Sequence, residues 1–278
     1  MQWVDLFWRF LACSFLGWLL ESSAFSIEQH KFVNRGFLAG PLCPIYGFGG
    51  VLMLSVLGLV ENSWILVFLI GVILTTVLEY ATSWGLELIF HARWWDYSNQ
   101  PFNLQGRITL LHSMFWGLLS LILVYGLNPL LTDILAQVPA AVRLWTAAVV
   151  AVLIIIDLIV TVLGLIDLNH QLARLHEKIL QISQRNSELG QNVKKRLIVL
   201  AHNFRELRSQ AGSLSNVQRR ILLAFPNLRS LKHQEALRRL RHWMKSHRPD
   251  HSWPMADIRI LRNQFTFLQK TKNRNRDK

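Results

Sequence analysis

The sequence predicts an all-α, polytopic membrane protein of five transmembrane helices with a cytosolic helical and coiled-coil tail, and three observations carry that reading. Five apolar stretches, roughly Leu6 to Ile27, Phe37 to Val60, Trp64 to Phe90, Ile108 to Leu127 and Val142 to Leu168, are each long enough to cross about 30 Å of hydrocarbon. Charge is segregated: residues 169–278 hold 24 Lys+Arg against 7 Asp+Glu, a balance of +17, which leaves 6 and 10, a balance of −4, for residues 1–168. The composition, 51% hydrophobic with 11 Trp in 278 residues, is foreign to a single soluble domain. The organisation that follows is a five-span domain over residues 1–168, a coiled-coil extension over 169–211 and a basic helical tail over 212–278. The final KTKNRNRDK is too polar to order itself.

The first segment is a retained span rather than a cleaved signal peptide, because no basic region precedes its apolar core, it carries Glu21 and it shows no small-residue cleavage site. The second begins with RGFLAGPLCPIYGFGG, Arg35 to Gly50. Pro41 and Pro44 remove two backbone donors, and five glycines let the chain bend or neighbours approach. Carbonyls freed in hydrocarbon need protein or water partners, so this stretch is expected to line an interior cavity; the alternative is a kinked helix used for tight packing. In the third span Thr75, Glu79, Ser83 and Glu87 recur every four residues and draw a polar stripe on one face. His112, Trp116 and Ser120 do the same in the fourth, and Asp157 is a carboxylate within the fifth.

Orientation follows from the loops. Lys31, Arg35, Arg93, Arg107 and the tail fall on one side, while the connections near Glu61 and Asp133 carry few cations; the positive-inside bias then puts the amino terminus outside and the tail in the cytosol. Carboxylates at membrane depth are costly unless paired or wet. Glu21, Tyr46, Glu79, Glu87 and His112 all fall in the cytosolic half by this assignment, at depths where they could meet; the other reading is interhelical hydrogen bonding. The loop HARWWDYSNQPFNLQGRITLLHS, His91 to Ser113, adds forked donors suited to carboxylate or phosphate in Arg93 and Arg107, with Asp96 to orient one of them and Asn103 as a neutral polar contact. Trp94 and Trp95 read equally as an interfacial aromatic belt. The candidate binding set is therefore Glu21, Arg35, Tyr46, Glu79, Asp96, Asn103, Arg107 and His112. Cys13 and Cys43 lie at or inside spans and imply neither disulfide nor zinc, and no metal or cofactor motif is read.

FLGWLLES in the first span, FVNRGFLAGPLCPIYGFGG at the start of the second, LEYATSW in the third and RWWDYSNQPFNLQGRI before the fourth resemble the putative ABC-transporter type IV family of bacterial permease-like membrane proteins. The resemblance covers residues 1–127 and implies a place in the inner membrane and a role in transport. The chain has no Walker motif, so an ATPase partner is implied by the resemblance alone.

In the tail, Leu168, Leu172, Leu175, Ile179, Ile182, Leu189 and Val193 alternate four- and three-residue steps, with Asn186 in the apolar slot between Ile182 and Leu189. After a stutter at Leu197, Leu200, Phe204 and Leu207 resume the seam. This predicts that the fifth span continues into a coiled coil that forms a homodimer; the alternative is an amphipathic helix folded back on its own protein. Arg219 to Arg248 mixes basic and apolar residues, which suits anionic lipid head groups. Nucleic acid is not read as a partner, because no nucleic-acid-binding fold motif is present. Three classes of function remain open: a gated solute path, a membrane-embedded enzyme acting on a lipid-linked substrate with Glu79 or Glu21 as base and His112 as acid or base, and a scaffold acting through coil and tail.

Overall fold

The computed structural model describes residues 2–188 and 214–246. Helices dominate, in the order α1 (Gln2–Gln29), α2 (Pro44–Leu57), α3 (Trp64–Phe90), α4 (Leu110–Ile122), α5 (Asn128–Gln137), α6 (Ala140–Glu188), α7 (Asn216–Ala224) and α8 (Gln234–Ser246). Four helical stretches are long and apolar enough to cross a membrane: Trp3–Gln29, Trp64–Phe90, Leu110–Gln137 and Ala140–Gln181. The third of them joins α4 to α5 through a π-helical turn at Leu123–Leu127.

The fifth uniform span does not form. The second predicted segment, Phe37 to Val60, contains only the 14-residue α2, about 21 Å long and short of the hydrocarbon core. Pro44 opens this helix in its first turn, where a missing N–H costs nothing, and residues 30–43 before it run as an irregular loop. The Cys43 amide donates to the Ser14 carbonyl at 3.0 Å, halfway along α1. The loop therefore climbs beside the half of α1 that ends at Gln29, and α2 continues the ascent beside the other half.

Polar groups inside such a loop must be satisfied by protein, and the side chains that do it come from four places. Asn34 Oδ1 accepts from Trp18 Nε1 at 2.8 Å and from the Gly36 amide at 2.9 Å, while its Nδ2 donates to the Ala39 carbonyl at 2.7 Å. Ser26 and Ser22 accept from the Val33 and Arg35 amides at 3.0 and 3.1 Å. Asp157 of α6 accepts from the Ala39 and Gly40 amides at 2.9 and 2.7 Å. Arg220 of α7 donates to the Gly36 and Phe37 carbonyls at 2.6 and 2.9 Å.

The glycines of α2 serve close packing rather than open space. A Cβ at Gly47 would come within 2.1 Å of Ser14 Oγ, and one at Gly50 within 2.5 Å of Cys13 Sγ, so α1 and α2 approach backbone to side chain without a gap. At the end of the bundle remote from Gln29, Arg9 Nε donates to Asn128 Oδ1 at 3.1 Å, and Arg143 of α6 pairs with Asp5 of α1.

The fifth predicted span does continue into the tail as one helix, the 49-residue α6. Its partner differs from the expected one. Leu168, Leu172 and Leu175 are buried, with Ile179 packed beside them, against Ile221, Leu222, Leu228, Leu237 and Leu240 of the same chain. The heptad pattern reported which stripe is buried but not what buries it. Here the cover is a hairpin made of α7, the short strand β4 (Arg229–Ser230) and α8, so dimerisation through these seam positions would have to displace it. The seam side chains from Ile182 onward, with Asn186, lie outside the described residues, as does the expected disordered end. Strand β4 pairs antiparallel with β1 (Ala92–Arg93), matching Ala92 to Ser230, and the intervening loop carries a second two-residue ladder, β2 (Asn103–Leu104) with β3 (Ile108–Thr109). Ser215 and Gln218 form a capping box at the start of α7, and Gln218 Nε2 reaches back to the Gly164 carbonyl at 3.0 Å and to Asp167 at 2.9 Å.

Candidate functional site

Two polar groups lie on the stripe that the four-residue spacing of α3 predicts. The first runs across four helices. Tyr46 of α2 donates its hydroxyl to Glu21 Oε1 of α1 at 2.8 Å, and Arg35 in the loop brings Nε to Glu21 Oε2 at 3.1 Å. The Tyr46 ring meets the Trp116 ring of α4 edge-on at 5.0 Å, and Trp116 Nε1 donates to Glu79 Oε2 of α3 at 2.9 Å. Glu21 and Glu79 are thus linked through an aromatic pair, and Gly17 makes the link sterically feasible, since a Cβ there would lie 2.1 Å from the Tyr46 ring. The Glu21 and Arg35 side chains remain 37% and 25% exposed.

The charges in this group do not cancel. Among the described residues Glu79 meets no cation, and the outer nitrogens of Arg35 make no hydrogen bond; instead the guanidinium lies over Phe25 at 4.5 Å and over Phe225 at 5.7 Å.

The second group sits two turns along α3. Glu87 Oε2 takes Arg107 NH2 at 2.8 Å and Arg93 Nε at 3.1 Å, while Arg107 NH1 donates to Ser83 Oγ at 3.2 Å. Arg107 is 7% exposed and also lies over the Tyr80 ring at 5.5 Å. It therefore joins Glu87 and stands apart from Glu21 and Glu79, with which the candidate binding set groups it.

The remaining candidates belong to the loop. His112 shares a 2.7 Å hydrogen bond between Nδ1 and Thr109 Oγ1 and stacks on Tyr97 at 4.5 Å, and among the described residues it makes no hydrogen bond to either glutamate. Burial chiefly, with the Glu79 and Glu21 charges adding, pushes the Tyr97 phenol above its ordinary range. Asp96 accepts from the Ser98 amide at 3.0 Å and from its hydroxyl at 2.5 Å, and pairs with Arg229 of β4. The Ser98 hydroxyl chiefly, then Arg229, pull this carboxyl down to about 2. Asn103 accepts from the Gly106 amide at 2.8 Å and donates to the Gln100 carbonyl at 2.8 Å. Gly106 has φ +71°, and a Cβ there would meet Ser98 Oγ at 2.3 Å. Asp96 and Asn103 thus shape the loop and stand apart from Glu79.

The family model for putative ABC-transporter type IV proteins matches residues 8–162. The chain belongs to that family. The match spans both polar groups and ends within α6, so the hairpin lies outside the part that defines the putative ABC-transporter type IV family. No curated protein and no solved structure matches the chain.

Sequence reasoning missed Trp116 as the bridge, Tyr97 as the ring stacked on His112, and Asp157, Asn34 and Arg220 as the groups that hold the loop. Trp116 was on the recognised stripe of α4, one turn from His112, and a carboxylate inside an apolar run flags Asp157. Nothing near residue 220 points to residue 36.

Proposed function

We propose that this membrane protein handles, in transport, a small polar solute or lipid head group that carries a positive group, bound at the Glu21, Tyr46, Trp116 and Glu79 network. The observation that carries this reading is the Glu79 carboxylate: it sits in an apolar span with an indole N–H as its partner and no cation among the described residues, whereas Glu87 on the same helix has two arginines. A charge left uncompensated at membrane depth costs several kcal/mol, which a cationic ligand would relieve, and the flanking faces of Tyr46 and Trp116 attract cations as well. The free outer nitrogens of Arg35 could take an anionic group on the same ligand. An acid–base enzyme has less support, because His112 is engaged by Thr109 and Tyr97.

Lys31, Arg35, Arg93, Arg107 and the hairpin gather at one end of the bundle, which favours that end facing the cytosol of an inner membrane. An ATPase partner follows from the family's description, and anionic lipids suit the exposed Arg219, Lys232 and Arg238. Binding is tested on protein in lipid nanodiscs, with tetramethylammonium, ethanolamine and inorganic phosphate as probes and tryptophan fluorescence as the signal. The expected result is binding of an amine probe that weakens at least about tenfold in Glu79→Gln, the loss of a charge-assisted contact. Equal binding by Glu79→Gln, or binding of phosphate alone, rejects the assignment.

A further inference from the structure

The hairpin does more than cover the seam of α6. Three of its residues converge on the loop that carries Arg35. Arg220 holds the carbonyls of Gly36 and Phe37 from above. Phe225 lies over the Arg35 guanidinium at 5.7 Å and meets Trp94 edge-on at 4.9 Å, and Trp94 in turn contacts Phe37 at 5.3 Å. Ala224, fully buried, packs with Phe25 of α1 and with Val33 of the same loop. Arg35, the residue that reaches Glu21, is therefore sandwiched between α1 and the end of α7.

The contact is tight but carries an internal cost. Among the described residues Arg220 Nε is buried without a hydrogen-bond partner, and burial lowers the Arg220 pKa against the pull of Asp157. A guanidinium held by neutral carbonyls gives up hydration that two hydrogen bonds replace only in part. Releasing the Arg220 and Phe225 contacts at the end of α7 returns that charge to water, which reduces the cost of opening. The anchor beside it is of another kind: Ile221 and Leu222 of α7, with Leu237 and Leu240 of α8, bury apolar surface against α6 and gain nothing from exposure.

We infer that the end of α7, through Arg220 and Phe225, is a gate that keeps the Arg35 loop on Glu21 and closes the approach to the polar network from the hairpin end, while α8 remains docked on α6. This rests on the proposed binding site, and it assigns Arg220 as a positioning residue that acts through Arg35. Opening frees the loop, and the Arg35 side chain with it, for an incoming ligand.

The two native cysteines provide a readout that needs no ligand. Cys43 is buried at the end of the loop with its sulfur against the Phe37 backbone, and Cys13 is buried in the other half of the bundle against Gly50. Alkylation of Cys43 by a membrane-impermeant maleimide is followed in a Cys13→Ser background, and of Cys13 in a Cys43→Ser background. Arg220→Ala and Phe225→Ala are each expected to speed Cys43 labelling about tenfold or more, the effect of losing one charge-assisted or aromatic contact on local opening, and to leave Cys13 slow. Arg220→Lys, which keeps charge but not the fork, is expected to fall between. Unchanged Cys43 labelling in both alanine variants overturns the gate, as does a parallel rise at Cys13, which reports general unfolding. If Cys43 opens as stated while Glu79→Gln still binds every amine probe, the gate stands and the binding assignment fails; the reverse pattern removes the gate alone.

Discussion

Glu79 and Glu87 lie two turns apart on one face of one helix, and the protein treats them in opposite ways. Glu87 is closed into a triad with Arg93 and Arg107, and its side chain is 17% exposed. Glu79 has a tryptophan N–H and an aromatic neighbourhood. The first arrangement satisfies a buried charge with fixed partners and so resists change. The second leaves a carboxyl with no fixed cation among the described residues. Identical chemistry at identical spacing thus separates into a structural pair and a candidate binding group only through what the neighbouring segments bring to each.

The comparison breaks most severely at Arg107. Arg107→Ala removes a guanidinium that is 7% exposed, leaves Glu87 with one partner and opens a void against Tyr80, at a cost of about 3 kcal/mol. Loss of accumulation in the membrane, or a large fall in the thermal unfolding midpoint in detergent, checks it; a stable, well-expressed variant would make Arg107 a binding residue after all. Next in size is a contrast of signs. Glu87→Gln strands two arginines and is expected to destabilise by about 2 kcal/mol, whereas Glu79→Gln removes an uncompensated charge and should leave stability unchanged or raise it by up to about 1 kcal/mol. Matching losses in the two variants, measured by thermal unfolding, would erase the distinction.

The smallest effect concerns a third pair, Asp96 with Arg229, whose arginine is 54% exposed. Asp96 titrates at about 2 in the folded protein against an ordinary 3.8, so its folded pKa is depressed. Its stabilising contribution is then present above about pH 4 and lost as pH falls toward 2. Wild type and Asp96→Asn should differ in unfolding midpoint at neutral pH and converge at the acid end of a pH series. A constant difference across that range would assign the effect to loop geometry instead.

Much of the fold was legible because a membrane span needs only length and apolar composition, and four of the five predicted segments satisfy both. The second failed for a reason the same composition hides: Phe37 to Val60 is apolar enough to span, but Pro44 fixes where the helix can start, and the chain before it is held by Asn34, Asp157 and Arg220. The seam from Leu168 to Ile179 was legible as a buried stripe, yet a heptad specifies a surface without naming its occupant. For the polar groups, the stripe on α3 was visible. Which arginine meets which glutamate depends on how far the loop between α3 and α4 reaches, and Arg107 lands at Ser83 and Glu87 rather than at Glu79.

The bond from Arg220 to the Gly36 carbonyl joins residues 184 apart, and that separation fixes an order of events during synthesis. At roughly 5 to 20 residues per second, about 10 to 40 s pass between the emergence of the loop and that of its clamp. Asp157 arrives earlier, so the amides of Ala39 and Gly40 acquire their acceptor before the carbonyls of Gly36 and Phe37 acquire their donor. Through that interval the newborn bundle holds a half-secured loop whose remaining carbonyls must rely on water, and a chain interrupted before Arg220 would stay in that condition.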